Sequence, residues 1–375
     1  MKNILVFVNS FDIGGVTTLL KDIYRNLDTT QYRMSFVRLN WNKNDFDNEV
    51  FQNGDQVFYY ENQPLGKWPV INYAMRRKTM IHRVCNAVRK DVAYDIAYIH
   101  SNAAYCVPAA KKMGIKKIIM HVHEAVSDFL GNENKSFLTQ WLWNKRVKMY
   151  NRLSDYKLGD SALACVAKFG ENVLNDPKMR VIHPPINLDK FNPHNYDAND
   201  TICQFKVDPE KFNMIHVGRL CDIKNQEFLL DLLEEMVKKK DCCLYIVGDG
   251  ETQKKKLIAK AKKKDILQFI KFYPGNINVP LLMKGMNCFL LPSFSEAFGM
   301  VAVESQLMEV PCFLSSNVPK DVDIGMATFI DLNSGAKYWC DRILDYKFGT
   351  YKTDQNRVCK FDISFILKDL YNIFE

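Results

Sequence analysis

The sequence predicts an α/β protein with two doubly wound parallel sheets, one in each half of the chain. Short apolar runs alternate with segments of helical periodicity, which is the pattern of βαβ units. The chain has 375 residues, enough for two domains of ordinary size. A proline-rich segment at 183–193 interrupts the alternation, and the polar stretch 195–201 follows it. We therefore expect one domain on each side of this segment.

The apolar runs and periodic segments predict the individual elements. In the first half they predict strands at 4–8, 35–39, 96–100 and 118–122, with helices at 17–27 and 79–90. In the second half they predict strands at 213–217, 242–247, 269–272, 288–291 and 311–314. The helices predicted there are 226–239, 252–263, 279–286 and 299–308. Ligands of doubly wound sheets bind beyond the carboxyl ends of the strands, so the loops that follow strands should carry the chemistry.

Composition indicates a globular protein of a reducing compartment. Hydrophobic residues form 47% of the chain and charged residues 25%. No apolar stretch approaches the roughly 18 to 20 residues of a membrane span, and the apolar start of the chain is typical of a buried strand rather than a secretion signal. The 11 cysteines form no C-x-x-C pair, which favours buried thiols and a cytoplasmic location. A catalytic cysteine is the less favoured alternative.

Positive charge is concentrated in the first half of the chain. The net charge is +8, and residues 65–157 hold 17 Lys and Arg against 6 Asp and Glu. Two amphipathic segments with basic faces, 73–90 and 141–153, suit an anionic membrane surface. An equally favoured alternative is that their apolar faces are ordinary core. The basic and apolar residues concerned are Arg76, Met80, Arg83, Val84, Val88, Lys90, Trp143, Lys145, Val147, Lys148, Tyr150 and Arg152.

Two segments of the first half carry candidate functional residues. Gly14 and Gly15 follow the first strand and precede a helix, where paired glycines admit a phosphate to the helix start, although a plain turn is equally favoured. His121 and His123 close the fourth strand on one face and precede Glu124. A contact to substrate is the leading interpretation of the histidines. A structural pair, or a metal site for which no third ligand stands out nearby, is the alternative.

Two segments of the second half place charge beyond strand ends. Arg219 and Lys224 share the loop after strand 213–217, where two cations can stabilise a diphosphate leaving group, unless the loop is merely solvated. Glu296 and Glu304 flank the start of a helix after strand 288–291. The free backbone amides there belong to Phe298, Gly299 and Met300. Two carboxylates around free amides suit a glycosyl nucleotide; the alternative is generic helix capping.

Taken in order, these segments resemble the family 4 retaining glycosyltransferases, a large group with the GT-B fold. The shared features are the glycine loop, the strand-end histidine, G-R-x-x-x-x-K at 218–224, V-G-D-G at 247–250 and E-A-F-G-x-x-x-x-E at 296–304. Segment 224–229 further resembles bacterial capsule and exopolysaccharide members. The resemblance covers most of the chain. It implies two Rossmann-like domains that face a central cleft, with residues 1–185 on the acceptor side, 186–360 binding the nucleotide sugar, and a terminal helix at 361–375 that packs back on the first domain.

The resemblance also implies roles for single residues. Arg219 and Lys224 would hold the donor diphosphate, and Glu304 would bind the ribose hydroxyls. Glu296 would contact the transferred sugar, and His123, rather than His121, would contact it near the reacting carbon. The backbones of Gly14, Gly15, Phe298, Gly299 and Met300 would complete the donor site. The family retains anomeric configuration without a divalent metal. We therefore expect no cofactor here besides the donor substrate, a nucleotide-diphosphate sugar that we expect to be UDP-linked.

The expected function is therefore sugar transfer to a glycan or lipid-linked acceptor during cell-surface polysaccharide synthesis. The protein would be cytoplasmic, could reach the inner face of the membrane through its basic half, and would not bind nucleic acid. One alternative is a GT-B nucleotide-sugar isomerase or phosphorylase, which the E-x7-E pattern counts against. A second is a non-catalytic GT-B protein that binds a glycolipid, which would not need both cations and both glutamates. A nicotinamide oxidoreductase would need a G-x-G-x-x-G fingerprint that the chain lacks.

Overall fold

A computed structural model describes residues 1–9, 11, 15–38, 45–59, 81–88, 92–124 and 137–375. The chain forms two compact units, one of Met1–Pro185 with Ile363–Glu375 and the other of Ile186–Asp362. Each unit has one parallel sheet, with seven strands in the first and six in the second. The predicted α/β class with two doubly wound sheets is confirmed.

The first unit has the strand order β3-β2-β1-β4-β5-β6-β7. Its central strand is apolar on both faces, and side chains of alternate residues belong to two different hydrophobic clusters, as a sheet covered on both sides requires. The strands are β1 Lys2–Val8, β2 Tyr32–Arg38, β3 Val57–Tyr59, β4 Ile96–His100, β5 Lys117–Val122, β6 Tyr156–Gly159 and β7 Met179–Val181. The helices are α1 Gly15–Arg25, α2 Asp45–Gln52, α3 81–87, α4 Val107–Lys112, α5 Phe137–Leu153 and α6 Ala162–Phe169.

The second unit has the order β10-β9-β8-β11-β12-β13, and its sheet is likewise buried on both faces. The strands are β8 Phe212–Val217, β9 Cys242–Val247, β10 Ile270–Tyr273, β11 Cys288–Leu291, β12 Cys312–Ser315 and β13 Ala327–Ile330. The helices are α7 Ala198–Phe205, α8 Gln226–Met236, α9 Glu251–Lys263, α10 Val279–Met283, α11 Met300–Leu307, α12 Gly335–Leu344 and α13 Gln355–Val358.

The last helix, α14 (Ile363–Phe374), belongs to the first unit. The ring of Tyr371 stacks on that of Tyr32, with centroids 5.1 Å apart, and its hydroxyl accepts a hydrogen bond from the amide of Asp28. The ammonium of Lys2 donates to the carbonyl of Phe374 at 3.0 Å. The two ends of the chain thus build one core.

The apolar runs did not predict four of the strands: β3, β6, β7 and β13. Strand β6 shows why, because its second residue is Lys157. The Lys157 side chain is buried and its ammonium lies 2.7 Å from a carboxylate oxygen of Asp176. A buried ion pair allows a lysine inside a strand that sequence patterns read as polar. Helices 226–239 and 279–286 were predicted too long, since α8 ends at Met236 and α10 at Met283.

Candidate functional site

In the second unit, Lys224 and Glu296 form an ion pair at the carboxyl edge of the sheet. The Lys224 ammonium lies 2.7 and 2.9 Å from the two carboxylate oxygens of Glu296. The hydroxyl of Ser293, which is fully buried, donates to the same carboxylate at 2.6 Å. About a fifth of the Lys224 side chain (19%) stays exposed, against 9% for Glu296. The pair is therefore rigidly held yet reachable from solvent.

Backbone hydrogen bonds tie together the loops that carry this pair. The amide of Phe294 donates to the carbonyl of Ile223 at 2.9 Å. Asn225 has a left-handed backbone (φ 52°) between the short helical turn 222–224 and α8, and its side chain donates to the carbonyl of Pro292 at 3.1 Å. Asparagine tolerates this backbone conformation better than most residues. These links fix the position of Lys224 relative to Glu296.

Arg219 is exposed on the same loop as Lys224 and is not brought into the ion pair. Its carbonyl accepts a hydrogen bond from the side-chain amide of Gln226 at 2.8 Å. That amide also lies 3.2 Å from His216, whose Nδ1 faces the carbonyl of Leu290 at 2.9 Å. Burial lowers the pKa of His216 to about 4, so this ring is neutral at pH 7. Two buried polar side chains thus hold the Arg219 backbone.

The V-G-D-G segment supports the Arg219 loop from the other side. A Cβ on Gly248 would lie 1.9 Å from the carbonyl oxygen of Gly218, and one on Gly250 would lie 2.4 Å from that of Leu220. Both glycines have positive φ, 149° and 144°. The amide of Leu220 donates to the carbonyl of Asp249 at 2.8 Å. The motif is thus a backbone-to-backbone support, for which only glycine leaves space.

Helix α11 begins after Gly299, which caps it with a left-handed backbone (φ 103°). The first intrahelical bond runs from the Ala302 amide to the Gly299 carbonyl at 2.9 Å. The Phe298 side chain belongs to the hydrophobic core. Glu304 lies on this helix, and burial raises the pKa of its carboxyl to about 7, against an opposing influence from Lys190. Glu304 therefore titrates near neutral pH, which sequence reasoning had not anticipated.

In the first unit, polar side chains meet at the ends of β4, β5 and β6. His123 Nε2 lies 2.7 Å from His100 Nδ1, and His123 Nδ1 lies 2.9 Å from Asp160 Oδ1. His121 Nε2 lies 3.3 Å from the same oxygen, and its Nδ1 lies 2.7 Å from the Tyr98 hydroxyl. His100 and His121 are fully buried. We call these five residues the histidine cluster.

The sequence prediction that no third ligand stands near His121 and His123 is wrong. Candidate ligand atoms of His100, His121 and His123 lie within 4.8 Å of one another. The signal was present, because His100 closes a predicted strand and pairs in register with His121. Asp160 was missed because it follows the unpredicted strand β6. Ser293, His216 and Gln226 were also missed: His216 is a single polar residue inside an apolar run, and Ser293 and Gln226 lie among other polar residues of loops and helix starts, where no pattern marks one of them.

The remaining predicted residues lie as follows. Gly15 is the first residue of α1, whereas Gly14 lies outside the described residues, as do Arg76, Met80 and Lys90. The apolar face of α5 is partly core, because Tyr150 is buried in the cluster that includes Val84 and Val88. The 11 cysteines are free thiols, seven of them buried, and Cys203 and Cys359 are exposed. No helix among the described residues is long and apolar enough to cross a membrane.

Comparison with known proteins agrees with this geometry. The family of Glycosyl transferases group 1 matches residues 199–323, which include the Lys224 and Glu296 loops. A Bacillus subtilis protein named as a glycosyltransferase, EpsF, is 22% identical over 360 residues, covering 91% of this chain and 87% of that protein. The UDP-Gal:alpha-D-GlcNAc-diphosphoundecaprenol alpha-1,3-galactosyltransferase of Escherichia coli is 24% identical over 234 residues, covering 60% of this chain and 59% of that protein.

Solved structures share the fold. Anabaena Alr3699/HepE in complex with UDP and glucose superposes with a TM-score of 0.71 at 18% identity, covering 99% of both chains. Sucrose-phosphate synthase of Thermosynechococcus elongatus has a TM-score of 0.75 at 14% identity, covering 100% of this chain and 98% of its own. Identities this low show the fold, and the GT-B prediction is confirmed. The matched domain and the named relatives support glycosyltransferase activity for this chain.

Proposed function

We propose that the protein is a retaining, metal-independent glycosyltransferase of family 4. It would move a sugar from a nucleotide-diphosphate sugar to a glycan or lipid-linked acceptor in cell-surface polysaccharide synthesis. The expected donor is UDP-linked. The observation that carries the proposal is the Lys224–Glu296 ion pair, supported by Ser293, inside the segment that matches Glycosyl transferases group 1. EpsF supports the transferase class, and the Escherichia coli galactosyltransferase, named for a UDP-Gal donor and a diphosphoundecaprenol-linked acceptor, supports the class of substrate.

The proposed donor site uses the charges of the second unit. Lys224 and Arg219 would bind the diphosphate, where two fixed cations stabilise the departing nucleotide as a bound metal ion would. Glu296 holds the Lys224 ammonium in place and would contact hydroxyls of the transferred sugar. Glu304 would accept the ribose hydroxyls, and the amides at the start of α11, from Phe298 to Met300, would face the sugar and phosphate.

From the first unit, the proposal includes the backbone of Gly15 as a contact of the donor, as the resemblance implies, together with the histidine cluster; Gly14, the other glycine of the predicted loop, lies outside the described residues. At the start of α1, the backbone of Gly15 offers an amide without a side chain in the way. The family resemblance implies that His123 contacts the sugar near its reacting carbon. Both of its ring nitrogens face protein groups, His100 and Asp160, so such a contact has to involve the cluster as a whole.

The acceptor side would use the basic surface of α5. Lys145, Lys148 and Arg152 are exposed on this helix, and Trp141 is 44% exposed with the Lys145 ammonium 3.5 Å from its ring centroid. An exposed tryptophan beside lysines suits the headgroup region of an anionic membrane, where lipid-linked acceptors reside. Flotation with phosphatidylglycerol vesicles at low salt tests this. Protein that stays wholly in the soluble fraction contradicts it.

A donor screen tests the proposed function. We expect a nucleotide-diphosphate sugar, with UDP-sugars as the first candidates, to raise the unfolding temperature of the protein. The same sugar nucleotide should be hydrolysed slowly when no acceptor is present. Turnover should persist in EDTA, and NMR of the product should show the anomeric configuration of the donor. Absence of any response to every nucleotide sugar would refute the transferase. Inversion of configuration would refute the retaining mechanism, and loss of activity in EDTA would refute metal independence.

A further inference from the structure

The histidine cluster has a proton arrangement that its geometry determines. Burial raises the pKa of Tyr98 above its ordinary value, so the phenol keeps its proton, and its hydroxyl donates to His121 Nδ1 because the opposite nitrogen of that ring faces the Asp160 carboxylate, which only accepts. The remaining proton of neutral His121 is then on Nε2, which faces Asp160. Burial lowers the pKa of His121 to about 4, with a further contribution from His123, so neutrality holds at pH 7.

Asp160 determines the tautomers of the other two rings, those of His123 and His100. Burial alone would raise the pKa of Asp160, but His123, whose Nδ1 is 2.9 Å from Oδ1, and the His121 ring, whose Nε2 is 3.3 Å from the same oxygen, hold it well below its ordinary value. A carboxylate only accepts, so His123 donates through Nδ1 and, when neutral, accepts through Nε2. His100 Nδ1 is the group that donates to it, at 2.7 Å. The lone pair of His100 is therefore on Nε2.

His100 Nε2 is the open end of this chain of hydrogen bonds. It is buried, the ring is fully inside the protein, and none of the described residues provides it with a hydrogen-bond partner. Burial, together with His123 and His121, lowers the pKa of His100, so the ring stays neutral, and Nε2 is then an acceptor because Nδ1 carries the proton that it donates to His123. Buried acceptors without a partner are rare and concentrate at functional positions. A hydroxyl group is the matching donor.

We propose that His100 Nε2 accepts a hydrogen bond from a hydroxyl of the sugar substrate. Asp160 and His123 are positioning residues behind it, because they fix the tautomer that leaves this nitrogen free. The inference rests on the proposed transferase function and transfers the sugar contact from His123 to His100. A metal ion fits the distances less well. Two nitrogens bound to tetrahedral zinc at about 2.0–2.1 Å would lie roughly 3.3 Å apart, whereas His100 and His123 are 2.7 Å apart.

Two variants of His100 separate substrate contact from support of His123. The amide nitrogen of His100→Asn can replace Nδ1 and keep the bond to His123, but it lacks an acceptor at the Nε2 position. The amide of His100→Gln can place its oxygen at the Nε2 position and loses the bond to His123. We expect both variants to lower kcat/KM, with His100→Asn losing roughly ten- to hundredfold, the size of a lost polar contact in a transition state, and His100→Gln keeping at least about fivefold more activity than His100→Asn.

The opposite ranking overturns the proposal, because it would show that support of His123 is the role of His100. Equal, wild-type kinetics in both variants also overturn it, since the nitrogen then faces only a structural water. Should neither variant fold, Asp160→Asn provides the test, with Asp176→Asn as control because Asp176 pairs with Lys157 elsewhere in the unit. We expect Asp160→Asn alone to lower kcat/KM, by at least about tenfold, as a wrong tautomer does.

A measurement without turnover separates this proposal from the proposed function. Protein with ¹⁵N-labelled histidine should show His123 protonated on Nδ1, His121 on Nε2 and His100 on Nδ1. Any other tautomer at His100 or His123 overturns the inference even if the enzyme is active. Calorimetric titration with zinc chloride alone should show no stoichiometric binding at these residues. Zinc binding that His100→Ala abolishes would also overturn it. Wild-type protein that turns over no donor refutes the transferase but leaves the tautomers measurable.

Discussion

At the scale of single residues, the Lys224–Glu296 pair combines two requirements. An ammonium on a side chain that stays about one-fifth exposed can reach an anionic ligand, and a largely buried carboxylate with a second donor, Ser293, keeps that ammonium oriented before the ligand arrives. Such preorganisation is effective because no reorientation is needed while charge develops on the leaving group. In the proposed function, a cation and a carboxylate from loops far apart in sequence would therefore act together.

Replacement of Lys224 tests the leaving-group role. We expect Lys224→Met to lower kcat roughly 10²- to 10³-fold, because a fixed charge that stabilises the transition state is lost. Lys238→Met is the matched control, since Lys238 is exposed and its 2.6 Å ion pair with Glu235 lies on α8 and the residues just after it. Initial rates with the donor from the screen, together with circular dichroism, check both variants. Near-normal turnover of a folded Lys224→Met would remove the residue from the mechanism.

The raised pKa of Glu304 predicts that the affinity for UDP depends on pH. Its ordinary pKa of 4.5 is raised to about 7 by burial, so the folded protein holds a proton there that the unfolded chain has lost. In the proposed donor site, ionised Glu304 would accept ribose hydroxyls. The ionised fraction falls from about nine-tenths at pH 8 to about one-tenth at pH 6. We expect the Kd for UDP to rise about tenfold over this range. Calorimetric titrations at several pH values measure it.

Glu304→Gln is the control, because an uncharged amide does not titrate. Its Kd for UDP should be independent of pH between 6 and 8. The carboxyl also affects stability. Since its folded pKa lies above the unfolded value, its contribution to the free energy of unfolding is greatest below about 4.5 and falls as pH rises through about 7. A pH-dependent Kd in the variant would assign the effect to another group.

The sequence located residues at strand ends well, within limits that have physical causes. Lys224, Glu296 and His123 follow apolar runs, so their place at the carboxyl edge of a parallel sheet was predictable. That the Lys224 ammonium meets Glu296 was not, because the contact depends on Asn225 and on the tie between Ile223 and Phe294. Contacts across loops have no periodic signal in sequence.

At the scale of elements, the V-G-D-G segment shows how a motif without reactive groups can still position a reactive one. Its glycines pack against the carbonyls of the Arg219 loop, so added volume displaces the loop rather than a side chain. Backbone cannot move aside as a flexible side chain does, and overpacking of this kind is expensive.

We expect Gly248→Ala to lower the free energy of unfolding by about 3 kcal/mol or more, from overpacking together with the cost of a positive φ. Any folded fraction should bind UDP more weakly. Gly349→Ala is the matched control in the same unit. Gly349 has φ 80°, yet an added Cβ meets nothing within 4 Å, so about 1–2 kcal/mol of strain is expected. Urea denaturation measures both, and equal losses would contradict the steric explanation.

At the scale of the whole molecule, the first unit is assembled from both ends of the sequence. Helix α14 places its apolar side chains in the same cluster as alternate residues of β1 and β4. A helical pattern at 364–374 was visible in the sequence, but helical periodicity gives only the width of an apolar face and not the unit against which it packs. That knowledge came first from resemblance and then from contacts such as Tyr32 with Tyr371.

The final prediction tests whether α14 stabilises the first unit or only closes the chain. Leu370 is fully buried in the cluster with β1, whereas Phe365 on the same helix is 42% exposed. Leu370→Ala should lower the free energy of unfolding of the first unit by about 2–5 kcal/mol, because the cavity cannot fully collapse. Phe365→Ala should change it by less than about 1 kcal/mol. Urea denaturation, monitored by hydrogen exchange of the backbone amides of β1 in the first unit and β8 in the second, distinguishes unfolding of the two units. Comparable effects of the two substitutions, or loss of protection confined to β8, would show that α14 does not stabilise this core.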